Sequence, residues 1–262
     1  MLHDVVRLPY PHDKISYTQF KNPPQRVTQQ EYARQSYCSF KGFGDTKDKS
    51  ARCDMEFIEH QLVAEFIPAH GKVLEVGARF GTTSCAIARK VFGRGSVVSI
   101  EPDERVWKYL DYNRRSHRCN FYIVHEPVGN STVTVGRGNY ETIASYSGSS
   151  TKTDSSGRPS YYTYTELQSA IGVTFDTILI DCEGCIENLF IDGDKSLKQV
   201  LRAVRVIILE ADNPQGPLSP CSTACVDYEI WLSKFKEIGF RLVRQVQDTK
   251  FKWIYHYVLE RL

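Results

Sequence analysis

Apolar residues recur at two different spacings along most of this chain. In MEFIEHQLVAEFI (55–67) they fall three and four residues apart, which predicts an amphipathic helix. KVLEVG (72–77) is a short apolar run rich in β-branched residues, which predicts a buried strand. Strand and helix patterns then alternate towards the C-terminus. This alternation is typical of an α/β domain with a mostly parallel sheet and helices on both faces.

Seven strands are predicted in this domain. Crossover segments separate the first five, which should run parallel, whereas only DTKFK (248–252) separates the last two, which predicts an antiparallel hairpin. Asp103 would cap one of the intervening helices and Gly239 would end another. The predicted strands are residues 72–77, 96–102, 120–129, 175–184, 204–212, 240–247 and 253–262, and further helices are predicted over 84–92, 103–116 and 228–239.

The N-terminal part of the chain has a different composition. Residues 1–52 are polar and aromatic with few core positions, so we interpret them as an extension and residues 53–262 as one domain. TQQE has the capping-box spacing and predicts a short helix from Thr28. The stretch 130–160 is rich in serine, threonine, glycine and tyrosine, which predicts a flexible loop of the kind that often binds substrates.

Composition and charge restrict the expected partners. The hydrophobic fraction of 41% and charged fraction of 24% are ordinary for a globular protein, and the net charge of +2 implies no strong attraction to nucleic acid or anionic membranes. We interpret the basic cluster NRRSHR (113–118) as a solvated helix end. The N-terminus lacks the pattern of a signal peptide and no apolar run is long enough to span a bilayer, so we expect a cytoplasmic location.

The eight cysteines allow two interpretations. Cys182 and Cys185 form one closely spaced pair and Cys221 and Cys225 another, and two such pairs could supply a zinc site with four thiolates. In a cytoplasmic protein, however, reduced and largely buried thiols are the favoured interpretation.

The loop within VLEVGARFGTTS (73–84) is the leading candidate for a ligand site, because ligands bind at the carboxyl ends of parallel strands. Its pattern, E-x-G-x-x-x-G, is neither the dinucleotide fingerprint nor the Walker phosphate loop. A carboxylate at Glu75 disfavours a pyrophosphate but suits a cationic group, such as the amino group or sulfonium of S-adenosylmethionine. Gly77 would allow the backbone to approach the ligand closely. Glu101, at the end of the second strand, could accept hydrogen bonds from ribose hydroxyls.

In these segments the chain resembles the FkbM family of S-adenosylmethionine-dependent methyltransferases. The resemblance covers roughly residues 70–212, and its most specific element is IDCEG (180–184), similar to the family's I-D-x-E-G after the fourth strand. It implies the Rossmann-like class I methyltransferase fold. The predicted parallel sheet with a terminal antiparallel hairpin is the layout of that fold. It further implies S-adenosylmethionine as cofactor and O-methylation of a hydroxyl on a small molecule or sugar. From the near-neutral charge we expect no nucleic-acid or membrane partner.

The resemblance also implies roles for individual residues. Asp181 and Glu183 match the acids that face the transfer site, where repulsion between two close carboxylates would raise the pKa of one and make it a better general base. The cofactor-binding residues that we expect are Glu75, Gly77, Ala78, Gly81, Glu101, Pro102, Val128 and Asp181.

Two alternatives remain open from the sequence. Asp181, Asp212 and Asn213 look like the metal-binding set of catechol-type O-methyltransferases, and three oxygen ligands suit magnesium. Leu179 stands where the family often has lysine and Ile186 where it often has an acid, which keeps open a degenerate methyltransferase fold that serves as a binding module. The histidines within strand patterns, His125 and His256, are interpreted as core or surface positions.

Overall fold

The computed structural model describes nine stretches of the chain, which fall into two compact units, residues 1–125 and 126–262. The helix predicted from Thr28, the loop predicted over 130–160, and Cys221 and Cys225 lie outside the described residues. The described stretches are residues 15–17, 40–42, 50–51, 56–91, 97–129, 161–182, 184–212, 226–249 and 252–261.

The described elements of the first unit are β1 (Ile15–Tyr17), β2 (Phe40–Lys41), β3 (Ser50–Ala51), α1 (Phe57–Phe66), β4 (Val73–Val76), α2 (Thr82–Lys90), β5 (Val97–Ile100), α3 (Glu104–Ser116) and β6 (Tyr122–Val124). The strands β4, β5 and β6 pair in parallel in that order. β1 pairs antiparallel with β6, so a segment of the predicted extension adds an edge strand that the sequence pattern did not reveal. β2 and β3 form a separate antiparallel pair.

The described elements of the second unit are α4 (Tyr164–Ile171), β7 (Thr177–Ile180), α5 (Ile186–Leu189), α6 (Leu197–Val200), β8 (Val206–Asp212), α7 (Tyr228–Glu237), β9 (Phe240–Gln247) and β10 (Ile254–Arg261). β7 and β8 are parallel, and β10 lies antiparallel between β8 and β9. The predicted C-terminal hairpin is therefore confirmed. Each of the seven predicted strands is present, and β1 is an additional one. Within the described ranges, no helix has the length and apolar character needed to cross a membrane.

Local signals set several element boundaries. The Asp103 carboxylate accepts a hydrogen bond from the Arg105 amide (3.0 Å) and caps α3 as predicted. α7 ends at Glu237, just before Gly239 at φ 99°, as the sequence indicated. Thr163 and Glu166 form a capping box at the start of α4. The helix therefore begins at Tyr164.

The basic cluster at the end of α3 is partly buried, so the predicted solvated helix end is wrong for two of its members. Asn113 and Arg114 are 0% and 1% exposed. The Arg114 guanidinium donates to the carbonyls of Ser16 (3.0 Å) and Phe121 (3.2 Å) and pairs with Asp111 (2.6 Å). This arginine therefore connects α3 to β1 and to the chain just ahead of β6, and its charge is neutralised inside the unit.

The expectation of reduced thiols is wrong for four cysteines. Cys85 in α2 is bonded to Cys119 ahead of β6, and Cys182 is bonded to Cys185. All four are at most 5% exposed, so their predicted burial is confirmed. The Cys182–Cys185 bond removes those thiols from the four-thiolate zinc site considered above. Disulfides form and persist in oxidising surroundings, which is the opposite of the redox state expected from the sequence.

The two disulfides should stabilise the fold unequally. Loop-closure entropy grows with the length of the bridged loop, and the bonds span 34 and 3 residues in sequence. We expect the double variant Cys85→Ala/Cys119→Ala to lose about 4 kcal/mol of unfolding free energy through loop entropy, and Cys182→Ala/Cys185→Ala about 2 kcal/mol. Urea unfolding under non-reducing conditions measures both. Reaction of any of the four cysteines with a thiol reagent in the native protein would contradict the assignment.

Candidate functional site

The loop between β4 and α2 folds back onto the end of β5. The amides of Gly77 and Ala78 both donate to the carbonyl of Ile100 (3.1 and 3.0 Å). The Gly81 amide donates to the Ala78 carbonyl (2.7 Å). These amides are thus engaged within the protein, whereas a phosphate-binding loop directs its amides at the ligand. The structure agrees with the sequence pattern that this loop is not a phosphate cradle.

Glycine is required at position 81 for two reasons. Its φ of 84° lies in the left-handed region that side chains disfavour. A Cβ at this position would also lie 2.8 Å from Leu110 Cδ1 of α3, closer than van der Waals contact permits. The loop can therefore turn into α2 this tightly only with glycine at this position.

Glu101 receives the loop at the end of β5. Its Oε2 accepts a hydrogen bond from the Arg79 amide (2.6 Å) and its Oε1 accepts one from the Asp103 amide (2.8 Å). The side chain is 5% exposed, and burial raises the pKa of Glu101 to about 7 against the lowering effect of these two hydrogen bonds. A carboxylate can accept about four hydrogen bonds, so roughly two acceptor sites remain. They suit the two hydroxyls of a ribose.

Glu75 lies beneath the same loop and is completely buried. The hydroxyls of Ser84 and Ser99 both donate to its Oε2 at 2.5 Å, whereas its Oε1 has no hydrogen-bond partner among the described residues. Burial raises the pKa of Glu75 to about 8, and the two serine hydrogen bonds only partly oppose this rise. The structure therefore provides one unused acceptor on Glu75, which suits a donor such as an ammonium group.

Further acids, which sequence reasoning missed, bind the start of α2. The hydroxyls of Thr82 and Thr83 donate to the carboxylate of Glu56, and Thr83 also donates to Glu59 (2.8 Å). Glu56 immediately precedes α1 and has a left-handed backbone (φ 61°). The hydroxyl residues after the glycine loop thus connect α2 to the start of α1, a role that no local spacing in the sequence indicates.

The residues present in the first unit fit S-adenosylmethionine. Glu101 has spare acceptors for ribose hydroxyls, and Glu75 has an orphaned buried oxygen. Trp107 lies beside Glu101, donating its indole N–H to the Glu101 carbonyl (2.7 Å) and stacking on His125 with ring centroids 4.2 Å apart. All of the predicted cofactor residues of this unit follow β4 or β5 or belong to β4, namely Glu75, Gly77, Ala78, Gly81, Glu101 and Pro102.

The second unit contains the other predicted residues. Val128 is 5% exposed and pairs in a parallel bridge with Tyr162. Next to it, a Cβ on Gly129 would lie 2.6 Å from the Asn188 carbonyl oxygen, so this turn also requires glycine. Asp181 directly follows β7 and is half-buried. It is at the carboxyl end of a parallel strand, where the sequence predicted it.

The segment after Asp181 differs from expectation in its covalent structure. The Cys182–Cys185 disulfide closes a short loop that includes Glu183. Glu183 itself, the side chain of Asp212 and all of Asn213 lie outside the described residues, so the predicted catalytic pair and magnesium set stay predictions. Leu179 and Ile186, the two departures from the family pattern, are each 1% exposed. Both are core positions in this chain.

A second group of side chains at this end of β8 was not found from the sequence. Glu210 of β8 pairs across the strands with His256 of β10, and the His256 Nδ1 lies 3.7 Å from the Glu210 Oε2. On the other side of the ring, His256 Nε2 lies 4.0 Å from Asp248 Oδ2. Burial lowers the pKa of His256 to about 4 although Asp248 opposes this, so the imidazole is neutral at pH 7. Only strand pairing brings these three residues together.

Comparisons with known proteins agree with the resemblance seen in the sequence. The family described as Methyltransferase FkbM domain matches residues 75–242, which is more than half of the chain. No curated protein matches the chain in sequence. Among solved structures, the chain is similar to a Streptococcus agalactiae protein of the NADB-Rossmann superfamily, with 12% identity, a TM-score of 0.43 and coverage of 78% of this chain and 67% of that one. It is also similar to magnesium protoporphyrin IX methyltransferase from Synechocystis, with 13% identity, a TM-score of 0.44 and coverage of 90% and 93%.

The buried Glu75 carboxyl should make stability depend on pH. Because its pKa rises from 4.5 to about 8 on folding, its contribution is fully present below about pH 4.5 and is lost as pH increases through about 8. Relative to Glu75→Gln, the unfolding free energy of the natural protein should therefore fall over this range. Urea unfolding at a series of pH values tests this. Glu104→Gln, an exposed change at the start of α3, is the control and should leave the profile unchanged; parallel profiles for Glu75→Gln would contradict the expectation.

Proposed function

The chain belongs to the Methyltransferase FkbM domain family, and on this premise we propose that it transfers the methyl group of S-adenosylmethionine to a hydroxyl of a small molecule or a sugar. The family membership makes the chain a methyltransferase with the Rossmann-like class I fold. The acceptor is our proposal. It follows the family resemblance of the I-D-C-E-G segment and the chemistry at the end of β7.

One observation supports the cofactor assignment most directly. In the β4–α2 loop, the backbone amides of Gly77, Ala78, Arg79 and Gly81 donate to protein acceptors. Spare hydrogen-bonding capacity lies on the carboxyl groups of Glu75 and Glu101. A site of spare acceptors selects a ligand rich in donors, such as ribose hydroxyls and an ammonium group. The same site would repel the pyrophosphate of a dinucleotide.

The proposed reaction requires positioning and removal of one proton. S-adenosylmethionine, when bound, supplies an electrophilic methyl group. Asp181 is a half-buried carboxylate at the end of β7 and can accept the proton of the acceptor hydroxyl.

Substitution of Glu101 tests the cofactor site. Each carboxylate oxygen of Glu101 accepts one backbone hydrogen bond, and Glu101→Gln replaces one of these oxygens with an N–H₂ group, which cannot accept. The change also removes the negative charge that strengthens hydrogen bonds from hydroxyls. We expect S-adenosylmethionine to bind about 10- to 100-fold more weakly, which corresponds to the 1.5–3 kcal/mol typical of a charged hydrogen bond. Calorimetric titration measures this, with the exposed Glu104→Gln as control. Equal affinities for the two variants would contradict the assignment of Glu101.

Substitution of Asp181 tests the transfer step. Asp181→Asn keeps the shape of the side chain but cannot accept a proton, so we expect kcat to fall by about 100- to 10,000-fold, far more than the affinity for S-adenosylmethionine changes. The assay follows release of the demethylated cofactor with panels of glycosides, phenols and amines. Asp194→Asn, an exposed change in the same unit, is the control. Turnover with amines alone would refute hydroxyl transfer, and an unchanged kcat would refute the role of Asp181.

A further inference from the structure

His256 has surroundings that the proposed methyl transfer does not explain. The side chain is 2% exposed, and neither Nδ1 nor Nε2 has a hydrogen-bond partner among the described residues. A neutral imidazole carries one donor and one acceptor, and leaving either unpaired in the interior is costly. Buried polar atoms in native proteins nearly always have partners. The unpaired ring nitrogens therefore indicate that a ligand binds to them.

The position of Glu210 indicates what kind of ligand this is. The distance of 3.7 Å between His256 Nδ1 and Glu210 Oε2 is too long for a hydrogen bond. It is, however, close to the separation of two ligand atoms of one metal ion. With an ion about 2.1 Å from each atom, the angle between the two ligands at the ion would be roughly 125°. Because the two residues are directly opposed on adjacent antiparallel strands, the backbone holds this spacing.

Asp248 supplies the second element of such a site. Its Oδ2 faces the other ring nitrogen, Nε2, at 4.0 Å. The Asp248 amide donates to the Ile254 carbonyl (2.9 Å), which holds the residue beside β10. Histidines that bind metals usually donate their second N–H to a carboxylate, which selects the tautomer and orients the ring. Small movements of the two side chains would complete this arrangement, with Nδ1 free to coordinate.

Strand register locates this pair of residues relative to Asp181. Ile180 of β7 pairs with Leu209 of β8, so the residues that follow them, Asp181 and Glu210, occupy neighbouring positions at the ends of adjacent parallel strands. The group thus lies on the side of the second unit where the proposed transfer site is.

We propose that Glu210 and His256 bind a divalent transition-metal ion such as zinc, through Glu210 Oε2 and His256 Nδ1, with Asp248 orienting the imidazole. A mixed imidazole and carboxylate set favours zinc-class ions over magnesium. Water would complete the coordination. The site differs from the magnesium set predicted from the sequence, and it goes beyond the proposed function because it does not depend on methyl transfer.

Metal binding to the intact, oxidised protein tests the proposal without any activity assay. We expect Zn²⁺, titrated in competition with a chromophoric chelator, to bind with one equivalent, and Co²⁺ to give the visible absorption of a low-coordinate nitrogen and oxygen site. Glu210→Gln and His256→Gln should each weaken binding by more than 100-fold. The exposed His70→Gln is the matched control and should bind as the natural protein does.

Asp248→Asn separates this site from adventitious binding. It leaves both ligands in place but removes the orienting carboxylate, so we expect affinity to fall about 10- to 100-fold. If His256→Gln does not fold, Glu210→Gln and Asp248→Asn decide the matter, because their side chains are 13% and 21% exposed and tolerate change better. No stoichiometric binding by the natural protein would overturn the proposal. So would unchanged binding by Glu210→Gln, or near-ultraviolet thiolate absorption of the Co²⁺ form that persists in these variants.

Discussion

The hydrogen bond from the Arg79 amide to the Glu101 carboxylate is the contact on which the candidate cofactor site depends. It joins the loop after β4 to the end of β5. The hydrogen bonds from the Gly77 and Ala78 amides to the Ile100 carbonyl reinforce the same connection. Arg79 itself has a left-handed backbone (φ 43°), which is costly for a residue other than glycine. That conformation is retained because it directs the amide at a buried carboxylate. The shape of the loop therefore depends on the position of Glu101.

This arrangement places two acidic side chains where water is scarce. Both Glu75 and Glu101 are almost completely buried, and burial raises the pKa of each. Serine hydroxyls and backbone amides offset part of the cost of desolvation without using all the acceptor capacity of the carboxylates. A ligand that brings hydroxyl and ammonium donors would satisfy what is left. The site is thus prepared for its ligand at some expense in stability, as is common for functional sites.

In the second unit, the ionisable side chains that we assign to chemistry lie towards the carboxyl ends of β7 and β8. Asp181 follows β7, and Glu210 occupies the next position along β8, opposite His256 of β10. The Cys182–Cys185 bond constrains the backbone just after Asp181. A carboxylate positioned by a strand end and a closed loop has little freedom to reorient, which suits the general-base role proposed for Asp181.

Local patterns in the sequence determined most of the fold. Two-residue and three-to-four-residue periodicities identify strands and helices, and Asp103 and Gly239 mark helix ends. E-x-G-x-x-x-G with a later acid predicts the candidate cofactor loop. Each of these signals acts over a few neighbouring residues. Only the tertiary structure decided the rest: the pairing of Cys85 with Cys119, the burial of Arg114, and the meeting of Glu210 with His256. These contacts join residues far apart in sequence. Their geometry comes from strand register and helix packing, which no local spacing encodes.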